Sequence, residues 1–87
     1  MKFSNSPSQK FSSIINEVLH KFEVNYNNNG FWVMDIKNED VEILGIKLVC
    51  GIDILAPFPS LDFTMKCDSN KDPQRFTLDT FEFEING

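Results

Sequence analysis

Eighty-seven residues with 13 acidic against 8 basic side chains carry a formal charge of −5, and no two basic residues adjoin, so the chain lacks the clustered Lys and Arg that bind a phosphate backbone or an anionic membrane. A chain this long forms one domain, residues 1–87, that buries only roughly 60 to 65 per cent of its unfolded surface, and a 41% hydrophobic content with nine Phe supplies a core and excludes disorder. No stretch approaches the roughly 20 apolar residues that cross a bilayer, and Met1–Ser13 has no apolar run of signal-peptide length, so a cytoplasm is the expected site of synthesis and folding.

Residues 1–9 read as a lead-in arm whose one apolar anchor is Phe3, free to hang loose or to pin a neighbour. Over Phe11–Phe22 two periods compete. Phe11, Ile14, Ile15, Val18, Leu19 and Phe22 recur at helical spacing, whereas Val18, His20, Phe22, Val24 and Tyr26 alternate with Leu19, Lys21, Glu23 and Asn25 as in a strand entered by a turn at Asn16-Glu17. Asn27-Asn28-Asn29-Gly30 is a hairpin turn leading into Phe31–Met34, with Trp32, Met34 and Ile36 on one face and Phe31, Val33 and Asp35 on the other. Lys37-Asn38-Glu39-Asp40 is a second polar turn before Val41, Ile43 and Leu44.

Gly45 and Gly51 bracket Ile46–Cys50, and Ile52–Leu55 follows, which predicts short β segments broken by bulges. Pro57 and Pro59 make a bend around Phe58. Leu61–Cys67 alternates as a strand with Leu61, Phe63, Met65 and Cys67 inward, and Asp68–Pro73 is a fully exposed polar loop. After Phe76 and Leu78, the run Phe81–Ile85 buries Phe81, Phe83 and Ile85 and exposes Glu82 and Glu84. The fold class is all-β, a small antiparallel barrel or sandwich of about six to eight short strands.

Catalytic and metal chemistry find little support. His20 is the one imidazole and has no nucleophile motif beside it. General acid catalysis needs a carboxyl in a dry pocket, whereas Glu39-Asp40 sits in a turn and Glu82 with Glu84 on an exposed alternation. Asp68–Asp72 spaces its oxygens like the start of a calcium loop without the sixth-position Gly or the closing Glu, and the glycines form no phosphate cradle. Cys50 and Cys67 read as ordinary buried thiols, with a disulfide between them as the alternative. No cofactor, metal, nucleic acid or membrane is expected. What remains is surface, where Phe31, Phe58 and Phe3 are the candidate contact aromatics.

Taken in series, Pro7-Ser8-Gln9-Lys10-Phe11, Asn27, Trp32 with Asp35-Ile36, Gly45–Leu55 and Asp72-Pro73-Gln74-Arg75 resemble the baseplate plug proteins of contractile-tailed phages. That family shares a PxQxF opening, a W-x-x-D/I hairpin, a G-x-x-L-V-x-G-x-x-L-L centre and a late D-P-x-R. The resemblance favours two strands joined at Asn16-Glu17, although this chain has no glycine in that turn. It implies a virion structural protein at the baseplate axis that meets hub, tube or tape-measure proteins. It also adds Asp72 and Arg75 to the candidate interaction residues Phe3, Phe31 and Phe58. The alternative, resting on size and charge, is a small acidic inhibitor or immunity-type protein that masks a basic partner.

Overall fold

In the computed structural model all 87 residues are described. Strands β1 (Ser8–Ile15), β2 (Val18–Asn27), β3 (Phe31–Lys37) and β4 (Glu42–Lys47) form an antiparallel sheet in sequence order. A second sheet pairs β5 (Thr64–Lys66) with β6 (Glu84–Asn86), and a 3-10 turn spans Leu78–Thr80. The fold is all-β, with six strands in two sheets and no closed barrel.

Over Phe11–Phe22 the chain forms two strands rather than a helix. Ile15 faces Val18 across Asn16 and Glu17, whose φ values of 52° and 67° are those of a type I′ hairpin turn. Helical spacing arises there because apolar residues occupy both sides of the hairpin: Phe11, Ile15 and Phe22 face the core while Ile14 and Leu19 point out. Phe11 and Phe22 are cross-strand partners with stacked rings, 5.1 Å apart and 11° from parallel.

The other two connections are set by asparagine. Asn27 accepts the Asn29 N–H on Oδ1 at 2.7 Å, and Gly30 closes that turn at φ 93°. Asn38 Oδ1 accepts the N–H groups of both Asp40 and Val41 at 2.8 Å. Within β4 the ladder shifts register opposite Asp35, where Gly45 takes φ 75° and donates its N–H to Asp35 Oδ1 at 2.8 Å.

Trp32, Met34 and Ile36 of β3 have no exposed surface and lie with Phe22, Val24, Ile43 and Ile46 against Ile54, Leu55, Leu61, Phe63, Met65, Leu78 and Phe83. The second layer is mostly irregular chain, which corrects the expectation of strands at Ile46–Cys50 and Ile52–Leu55. β4 ends at Lys47, Gly51 turns the chain at φ 87°, and one bridge, Asp53 to Lys66, is all the ladder that forms. The Asp53 carboxylate substitutes for a ladder by accepting the N–H groups of Leu55 and Met65, both at 3.0 Å.

The Leu61–Cys67 alternation buries the expected four side chains, but only Thr64–Lys66 is paired, because its partner β6 is three residues long. Phe83 is buried whereas Phe81 and Ile85 are only half-buried, and Pro73 is buried within the loop expected to be fully exposed. The amino-terminal lead-in docks on its own core. Met1 exchanges backbone bonds with Phe83 at 2.7 and 2.9 Å, and Phe3 packs between Phe11 and Phe83.

Cys50 and Cys67 are free thiols, brought together where Gly51 donates its N–H to the Cys67 carbonyl at 2.8 Å. Burial pushes the Cys50 thiol up to about 12, aided by its hydrogen bond to Cys67 and by negative charge on Cys67 and Asp72.

Three outcomes follow. Ile36→Ala, which empties a fully buried site, is expected to cost about 2 to 5 kcal/mol in urea unfolding, whereas Leu44→Ala on the exposed side should stay within about 0.5 kcal/mol. Glu17→Gly relieves a left-handed residue and is expected to raise stability by up to about 1 kcal/mol in the same assay. Because the folded chain holds the Cys50 proton more tightly than the unfolded chain, that contribution is intact below about pH 9 and lost as pH rises towards about 12. Cys50→Ala should therefore lose less stability than the parent between about pH 8 and about pH 10.5.

Candidate interaction surface

The five residues singled out by sequence scatter over the molecule, and several are tied to its own backbone. Phe3 is buried in the core, which removes it from the exposed aromatics. Asp72 Oδ1 accepts the Cys50 N–H at 2.9 Å and so anchors the loop after β5 to the segment after β4. Arg75 Nη1 donates to the Asn5 carbonyl at 2.7 Å, and its guanidinium lies 5.7 Å from the Tyr26 ring and 5.8 Å from that of Trp32.

Those bonds erect a neighbour that sequence reasoning assigned to the closing apolar run. Phe76 is 75% exposed with its ring 4.5 Å from the Arg75 guanidinium. Its carbonyl accepts Asn5 Nδ2 at 3.1 Å, and two residues before it the Gln74 carbonyl accepts the Trp32 indole N–H at 2.9 Å. A large apolar ring is thus held in water on a braced loop. Its signal in the sequence was the Arg-Phe pair between a proline and the 3-10 turn, where no alternation demands an inward side chain.

Phe31 and Phe58 are both half-buried. Phe31 lies beneath the Lys47 ammonium, 4.6 Å from its ring centre. Phe58 borders a shallow hollow of about 530 Å³ shared with Val49, Ile52, Ile54 and Ala56. Ile52 on its rim is 57% exposed. Ile14 and Leu19, cross-strand partners beside the first turn, add a third exposed apolar group.

His20 is a packing residue. It is buried edge-on against Phe63 at 5.1 Å, its Nδ1 meets the Val18 carbonyl at 2.9 Å, and Asn38 Nδ2 donates to Nε2 at 3.2 Å. No three His, Cys, Asp or Glu side chains converge as a metal site would require. The acidic residues form no single field either, since Glu23 and Asp35 stand beside Lys21 and Lys37 on the outer side of the large sheet. The chemistry available is therefore that of apolar contact from fixed supports.

No curated protein matches the chain. The family model described as cyanophage baseplate Pam3 plug gp18 matches residues 1–85, nearly the whole length. A β scaffold that braces apolar groups at its surface fits such a structural role, and the chain belongs to the cyanophage baseplate plug family, a structural component of the phage tail baseplate.

Proposed function

We propose that the chain is a non-catalytic plug that seats against hub, tube or tape-measure proteins of the baseplate, after folding in the host cytoplasm, with Phe76 and the Ile52–Phe58 hollow as its main contacts. The observation that carries this reading is Phe76, 75% exposed yet fixed from beneath by Arg75, Asn5 and the Trp32–Gln74 bond. A free phenyl ring costs solubility, and one immobilised before binding loses little further entropy when a partner covers it. Aromatic anchors of this kind dominate interface energetics, with surrounding groups excluding water.

The test is binding of the full chain to separately purified hub, tube and tape-measure proteins from the same tail. At least one should bind, and Phe76→Ser should weaken that binding by about tenfold or more while leaving the circular dichroism spectrum unchanged. Ile52→Ser should weaken it less. Absence of binding to all three proteins, or full-strength binding by the Phe76 variant, would overturn the assignment.

A further inference from the structure

On the outer face of the large sheet, cross-strand register sets like charges side by side. Lys21 pairs with Lys37 and, one step along the same strands, Glu23 pairs with Asp35. Each row is about 5 Å across between neighbouring strands and the two rows lie about 7 Å apart along them. Like charges directly opposite each other disfavour the pairing, so this arrangement works against the isolated sheet. The chain offsets it only in part: Lys10 stands opposite Glu23 on β1 and Lys37 meets Glu42 at 3.8 Å, which leaves one unbalanced positive charge in the first row and one unbalanced negative charge in the second. No other part of the chain covers this face, and its centre is a shallow hollow of about 360 Å³ between Lys10, Lys21, Glu23, Asp35, Lys37 and Leu44.

We propose that this face is a self-recognition surface for a second copy of the chain, docked sheet on sheet. A two-fold axis in the interface plane, running across the strands between the two rows, lays each copy's lysine row over the other's acidic row. β2 then crosses β2 of the second copy and β3 crosses β3, in the aligned packing that twisted sheets favour. Lys21 then meets Glu23 of the second copy and Lys37 meets its Asp35, each twice by symmetry. The hollow gives the long lysine side chains room. The same rotation covers Ile14 and Leu19, 71% and 51% exposed, against the row holding Asn25 and Val33. A nucleic acid or an anionic lipid surface, uniform in charge, would meet the acidic row with repulsion. Four strands at about 4.8 Å spacing give a patch roughly 20 Å square, which buries on the order of 1,000 Å² in both copies together and predicts a weak, salt-sensitive dimer. Phe76 and the Ile52–Phe58 hollow take no part in it.

Sedimentation equilibrium tests this on the full chain. At about 0.02 M salt the parent should form a dimer whose dissociation constant rises at least about tenfold at about 1 M salt. Lys21→Glu with Lys37→Glu should sediment as a monomer, as should Glu23→Lys with Asp35→Lys, both with unchanged circular dichroism. An equimolar mixture of the two variants should restore a one-to-one dimer. A parent monomeric at low salt, a variant that still dimerises alone, or a mixture that stays monomeric would each overturn the proposal.

Discussion

Trp32 is the joint on which the two layers hang. Its ring is wholly buried on the inner face of β3, and its indole N–H reaches across to the Gln74 carbonyl. One side chain thereby contributes a large apolar area and also ties down the backbone of a segment with few ladder bonds of its own. Around that point Tyr26 packs edge-on at 5.1 Å and Arg75 lies over both rings, so the loop after Pro73 inherits its position from the sheet. Phe76 follows this joint directly: Arg75 and the Phe76 carbonyl are both tied to Asn5, while the phenyl ring itself stays exposed.

The second layer is held by polar substitutes for a sheet. Asp53 takes two backbone N–H groups, Asp72 takes one, and Met1 and Phe83 exchange a pair. No buried side-chain nitrogen or oxygen is left without a partner. For a chain of this size, whose core is thin in proportion to its surface, such local bonds keep irregular backbone from competing with water. They also allow a layer of loops to present apolar groups at heights that a regular strand would not reach.

Alternation and turn chemistry made the large sheet readable. The inward set of β2 and β3, the Asn-rich turn and the boundary near Lys37 all follow from a period of two and from residues tolerant of positive φ. The first hairpin was not decidable from periodicity, because Ile14 and Leu19 place apolar weight on the outer side and imitate a helix. Strand lengths after Gly45 were overread for a different reason. Leu48, Ile54 and Leu55 are as buried as strand residues, but each stretch makes only a single backbone bond to a strand, Leu48 to Trp32 and Ile54 to Met65, before the chain turns away. The exposed apolar groups were least legible. Phe3, Asp72 and Arg75 carry the residue types of an interface, yet each is consumed within the chain. The one local sign of Phe76 was its place beside Arg75 outside any alternation, while the Trp32–Gln74 bond that holds its loop spans 42 residues and leaves no local signal.

The outermost strand of the sheet has one further consequence. Since Ile15 and Val18 flank a two-residue turn, alternation turns the N–H and C=O groups of Lys10, Ser12 and Ile14 away from β2, with no backbone partner on that side. Such an open row is a template for runaway stacking into fibres. One feature blunts it: an in-register parallel stack would place every Lys10 ammonium upon the next. The unsealed margin of the sheet thus carries its own charge barrier to edge-to-edge growth.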